Sequence, residues 1–221
     1  MDASGITKTR ITGSIMNVLG LDMSSQKSGY SLFKDGQLVD YGLWENHDRD
    51  WRGRIAYMSG CVQNYCNEHK VDKIYVEDVP PTIENSQTVK VLSALQGMLI
   101  SIAVRFNIPI EFIPVKTWKS KIGINLVSSK ENIEYKKRVK ENHPKELTKF
   151  KGWVKAWEKK LSVDYVNHTF GLDLVYKSPS SKFNQDDIAD SMNVAWSQIG
   201  DVHKYDLEAF DDIMYHLYTC L

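Results

Sequence analysis

The stretch MNVLGLDMSSQKSGYSLFKDGQLVDYGLW, residues 16–44, decides the architecture. MNVLGLDM (16–23) is a short apolar run closed by an acid, the pattern of a buried strand. GYSLFKDGQLVDYGLW (29–44) reads as two short strands joined at Asp35-Gly36, a strong hairpin signal. Working outward, VDKIYVED (71–78) and IPIEFIPV (108–115) are further strands. WRGRIAYMSGCVQNYCNEH (51–69) has helical spacing through Ile55, Met58, Val62 and Tyr65. A helix capped by Asn85 or Ser86 runs through Val89, Leu92, Leu95, Leu99 and Ile102. KTWKSKIGI and SSKENIEYKKRVK predict two helical pieces, the second capped by Ser128-Ser129. A basic helix is expected near 145–161, irregular chain at 177–182, and helices at 185–200 and 205–218. Hairpin first, helical crossovers afterwards: this order predicts an α/β domain. Its sheet should be antiparallel in the first three strands and then parallel, flanked by helices.

The composition excludes several classes. The chain has 221 residues, 42% hydrophobic and 25% charged, which rules out a mostly disordered protein. No unbroken apolar run reaches the roughly 18 residues of a membrane span, so no membrane partner is expected. Three cysteines, Cys61, Cys66 and Cys220, form no zinc-spaced cluster and fit a reducing compartment: the bacterial cytoplasm, or a viral replication site inside a cell.

The formal net charge of zero hides an asymmetry. Residues 116–160 hold fourteen Lys/Arg against five acids, a net +9; residues 161–221 hold three against ten, a net −7. Such a patterned field suits a polyanion on one surface. Lys116, Lys119, Lys121, Lys130, Lys136, Lys137, Lys151 and Lys155 are the candidate phosphate contacts. Trp118, Trp153 and Trp157 lie among these lysines, either to stack on unpaired bases or as the buried face of the same helices.

Four acids stand out. Asp22 ends the first strand, Glu77 ends the run Ile-Tyr-Val-Glu, and Asp187 and Asp190 lie three apart on a late helix. Asp186 can substitute for Asp187, because 186 and 190 are also helical neighbours. An acid closing an apolar strand is costly to bury unless it is paired or bound to a cation. Hard oxygen ligands from several elements suit Mg²⁺, with Mn²⁺ as a substitute. Two such ions about 4 Å apart activate a water and stabilise the leaving oxygen of a phosphodiester.

These residues resemble the RuvC Holliday-junction resolvases, within the ribonuclease H-like superfamily. LGLDMSSQKSGYSLF is similar to the family's first strand and hairpin, with Asp22 and Gly29-Tyr30 at the matching places. IYVEDVPP matches the strand carrying the catalytic Glu, which implies that role for Glu77. ENSQTVKVLSALQGMLI resembles the next helix, IPVKTWKSKIGI the next strand and basic segment, and QDDIADSMNVAW the last motif, implying Asp187 and Asp190. The resemblance implies a 16–200 nuclease domain that resolves four-way junctions by paired symmetric cuts. It also implies a homodimer, branched DNA as partner, and two Mg²⁺ per site. Residues 1–15 are expected as a flexible tail, about 141–182 as a basic helical insert, and 201–221 as an acidic helical extension. Met23-Ser24 stands where the family has proline-glycine, and Val79-Pro80-Pro81 where it has an aromatic after the Glu. These departures fit a phage or viral member. The four-acid pattern also fits a ribonuclease H-like nuclease acting on flaps, RNA–DNA hybrids or structured RNA. A non-catalytic DNA-binding protein is the third reading.

Overall fold

The computed structural model describes residues 16–79, 85–126 and 130–204. The opening run forms β1 (Asn17–Asp22), and the hairpin forms β2 (Lys27–Lys34) and β3 (Gln37–Glu45). Asp35 and Gly36 turn with φ of 51° and 77°. Positive φ at both positions is what a two-residue turn matched to strand twist requires. β4 (Lys73–Glu77) and β5 (Ile110–Ile113) complete a sheet in the order β3-β2-β1-β4-β5. β1, β2 and β3 pair antiparallel, whereas β1–β4 and β4–β5 are parallel, the mixed sheet that the sequence predicts. β5 is shorter than the expected 108–115. Pro114 lacks a ladder N–H and caps the helix that follows it.

α1 (Trp51–His69) starts at Asp50, whose side chain accepts from the Arg52 N–H. α2 (Ser86–Phe106) starts at Asn85, which accepts from the N–H groups of Gln87 and Thr88. Together they cover one face of the sheet, where Leu19, Leu21, Ile74 and Val76 meet Val62, Cys66, Leu99 and Ile102. Cys61, half-buried, and Cys66, buried, are free thiols on α1. By length and composition α2 passes for a membrane span, with a mean hydropathy of 1.5, against the sequence expectation of none. Its apolar residues are interrupted by Ser93, Gln96 and Ser101, so no unbroken run betrays it. Only 22% of that window is buried. The buried part, Leu95, Leu99, Ile102 and Ala103, faces the core.

The other face carries α6 (Asp186–Ile199). Two glycines let it lie almost backbone to backbone on the sheet. A Cβ on Gly20 would stand 2.2 Å from the Ser191 carbonyl oxygen, and one on Gly29 1.9 Å from that of Asp187. α3 (Val115–Lys121), α4 (Lys130–Asn142), a 3₁₀ turn (Pro144–Glu146) and α5 (Leu147–Phe170) complete this side. α5 is longer than the basic helix expected at 145–161. It buries Phe150, Val154, Leu161, Val163 and Val166 in the same core as Ile188, Met192 and Ala195 of α6. The expected N-terminal tail, the Ser128-Ser129 cap, Cys220 and the helix at 205–218 lie outside the described residues.

Candidate active site

Side chains alternate across a strand. Val18, Gly20 and Asp22 therefore share the face under α6, while Leu19 and Leu21 face α1 and α2. The same parity puts Tyr75 and Glu77 on the α6 side, with Ile74 and Val76 opposite. The parallel register Leu21↔Val76 makes Asp22 and Glu77 the next pair, at the carboxyl ends of strands about 4.8 Å apart. Gly29 is the antiparallel partner of Asp22. Because α6 seats directly on Gly29, its first turn lands beside those two strand ends, bringing Asp187 and Asp190 with it.

The four carboxyls feel one another. Burial raises Asp22 well above the usual carboxylate range, and the charges of Glu77, Asp190 and Asp187 raise it further. Glu77 is pushed up to about 8, by burial first and then by Asp190. Burial pushes Asp190 up to about 6, against the pull of Lys119, Ser162 and Lys159. Asp187 is also raised by burial, with Lys27 opposing. Desolvation together with like charge is the pattern of functional carboxylate clusters.

Cations surround the acids. Lys27 Nζ lies 3.0 Å from Asp187 Oδ2 and donates to the Asn184 carbonyl at 2.8 Å. Lys159 pairs with Asp186. Burial works against the charge of Lys159, but Asp186, Asp190 and Asp187 more than offset it. Lys119 Nζ meets Glu158 Oε2 at 3.0 Å, with both side chains buried. The Asp190, Glu158 and Glu77 charges outweigh the burial of Lys119 and hold its pKa up. The carboxyls are also oriented by neutral donors: Trp118 Nε1 donates to Glu77 Oε2 at 3.1 Å, and Ser162 Oγ donates to Asp190. Asn193 Nδ2 donates to Ser162 Oγ at 2.8 Å. Asp78 is drawn away by Gln96 Nε2 at 2.8 Å. A cleft of about 330 Å³ opens beside the acids, with Lys27, Lys155, Lys159, Tyr176 and Asp187 in its walls.

The structure thus brings together Asp22, Glu77, Asp187 and Asp190, and places the alternate, Asp186, against Lys159. Among the described residues no three His, Cys, Asp or Glu side chains are disposed to hold a metal ion as they stand. The donor set nevertheless suits a hard cation: four carboxyls, each raised by burial, with only lysine ammonium groups as counter-charge. Lys116, Lys121, Lys130, Lys136, Lys137, Lys151 and Lys155 are exposed. Lys119 is not; it belongs to the acid site, which corrects its reading as a phosphate contact. Trp118 is fully buried, and Trp153 and Trp157 stack on each other, half-buried, with centroids 5.6 Å apart.

Sequence reading missed Lys27, Lys119, Glu158, Lys159 and Ser162 as members of the site. Two of them carried a signal. Lys119 shares the helical face of Val115, Trp118 and Ile122, and Glu158 that of Val154, Leu161 and Tyr165. Each is a charge on an apolar stripe, and the two have opposite signs.

No family model matches the sequence, and no curated protein matches it. Solved structures do match in fold. Thermus thermophilus RuvC in complex with a Holliday junction substrate is 11% identical, with TM-score 0.52, covering 82% of this chain and 91% of that one. A second structure of Thermus thermophilus RuvC is 14% identical, with TM-score 0.51, covering 82% and 92%. The yeast mitochondrial Holliday junction resolvase is 14% identical, with TM-score 0.46, covering 93% and 82%. With its β3-β2-β1-β4-β5 mixed sheet and α6 laid across the ends of β1 and β4, the chain has the ribonuclease H-like fold of RuvC.

Proposed function

We propose that this protein is a metal-dependent, structure-selective endodeoxyribonuclease that resolves four-way DNA junctions. One observation carries the reading: Asp22 and Glu77 end adjacent parallel strands, and α6 sets Asp187 and Asp190 over them, so that four carboxyls, Asp190 buried and the other three half-buried, share one charge field. Asp22, Glu77, Asp187 and Asp190 would hold Mg²⁺ or Mn²⁺, two ions per site, which supply water activation and leaving-group stabilisation. Trp118 and Ser162 hold the Glu77 and Asp190 carboxyls in place. The exposed lysines of α3, α4 and α5 neutralise phosphates.

Symmetric cutting of two strands calls for two sites, hence a homodimer. The uncovered face of α2 supports a second copy there: Val104 is 76% exposed, Ile100 47% and Val89 39%. Work on branched DNA suits a host-cell cytoplasm or a viral replication site.

The test is a substrate panel of four-way junctions, flaps, duplexes and RNA–DNA hybrids, with Mg²⁺ and with EDTA. Paired symmetric nicks in junctions are expected with Mg²⁺ only, and none from Asp22→Asn, Glu77→Gln or Asp190→Asn, each of which still binds. Preferential cutting of flaps or hybrids would move the protein to another ribonuclease H-like nuclease. Binding without cutting under either metal would make it a DNA-binding protein.

A further inference from the structure

Between α4 and α5 lies a second, smaller hollow of about 150 Å³, lined by Asn132, Lys136, Phe150, Lys151, Val154 and Lys155. Its floor is apolar: Phe150 and Val154 are 1% and 2% exposed. Its rim is cationic. Lys136, Lys151 and Lys155 are exposed, and none is paired with a carboxylate among the described residues. An apolar slot ringed by three unneutralised cations suits a flat, weakly polar ring attached to a polyanion. The volume is that of about five waters at ~30 Å³ each, which admits one ring and not a base pair.

The slot and the cleft beside the acids share a wall residue. Lys155 lines both this hollow and the 330 Å³ cleft, and one turn further along α5 Lys159 reaches Asp186. Val154 to Lys159 rises about 7.5 Å along α5, a span that a single strand crosses within a few nucleotides. A strand whose phosphate lies at the carboxyls would bring a base a few nucleotides away to the slot. A duplex keeps its bases stacked; a branch point interrupts stacking, so a base there is the least costly to extrude.

We propose that the α4–α5 slot receives a single unstacked nucleobase of branched DNA, within a few nucleotides of the phosphate addressed by the acids, with Lys136, Lys151 and Lys155 on the flanking phosphates. This rests on the junction-cleaving reading above and adds to it the element that holds the strand open.

The experiment measures junction binding in EDTA with single abasic sites placed at each position within five nucleotides of the branch point. A parallel series carries 2-aminopurine at the same positions. Loss of about tenfold in affinity is expected at one position per strand, where 2-aminopurine fluorescence also changes on binding. Val154→Leu, which narrows the slot, should shrink both effects; its folding is checked by thermal melt, and the substrate series stands without it. A flat abasic scan and silent 2-aminopurine, on junctions that are bound and cut, would overturn the slot alone. Failure to bind any branched DNA would overturn the slot and the junction reading together.

Discussion

Replacing Lys119 by Met should destabilise the protein without making it a weaker phosphate binder. The Lys119–Glu158 pair, at 3.0 Å, has side chains only 11% and 6% exposed. Removing one partner of such a pair strands the other charge in low dielectric, which costs about 3–5 kcal/mol. A chain of this size loses about 2–4 °C of Tm per kcal/mol, so the drop should be roughly 6–20 °C. Lys119→Met/Glu158→Leu should recover most of it, because a buried ion pair exchanged for apolar side chains of similar size is often neutral or stabilising. Recovery should be fuller at pH 5 than at pH 8. Lys119 also faces Glu77 and Asp190, and Glu77, pushed up to about 8, is uncharged at the lower pH and needs no counter-ion. The assay is metal-free thermal and urea unfolding of wild type, both single variants and the double variant. If Lys119→Met melts within about 1 °C of wild type while the salt slope of DNA binding falls by about 0.9, Lys119 lies on DNA and the buried pair is wrong.

Stability of the metal-free protein should fall as pH rises from about 5 to 8. Glu77, Asp190 and Asp22 are raised in the folded state, so the native protein holds protons that the unfolded chain has released, and folding weakens with pH. Melts across this range test it; the decline should be shallower in Glu77→Gln, and a rise would refute the sign. Mg²⁺ should raise Tm more at pH 8 than at pH 5.5, since it need not displace protons there; equal shifts would argue against binding by these carboxyls. Gly29→Ala should cost at least about 1–3 kcal/mol by overpacking, because its Cβ would collide with the Asp187 carbonyl; an unchanged melt would mean that α6 does not seat there. Lys116→Ala/Lys121→Ala should flatten log affinity against log salt by up to about 1.8 units with Tm unchanged; an unchanged slope would put both lysines in water.

Much of the fold and half of the site were legible because they are local. Short apolar runs at 16–23 and 71–78 mark Asp22 and Glu77 at the ends of buried strands, Asp35-Gly36 closes the hairpin, and helical spacing puts Asp187 and Asp190 on one face of α6. None of this needs knowledge of a distant partner. The lysines were read less well, because charge density does not tell a solvated ammonium from a buried one: Lys116 and Lys119 stand three apart, and only Lys119 is buried.

What tertiary structure alone decided is the wall opposite the strands. α5 crosses α6 and delivers Glu158 to Lys119 across 39 positions, Ser162 to Asp190 across 28, and Lys159 to Asp186 across 27. The hairpin delivers Lys27 to the chain just before α6, 157 positions away. These pairings depend on how helices of unequal length settle over Gly20 and Gly29, a balance of packing over the whole core rather than a preference of any segment. A sequence displays the periodicity of each element. Which faces meet, and at what offset, is set by the volume their side chains fill together.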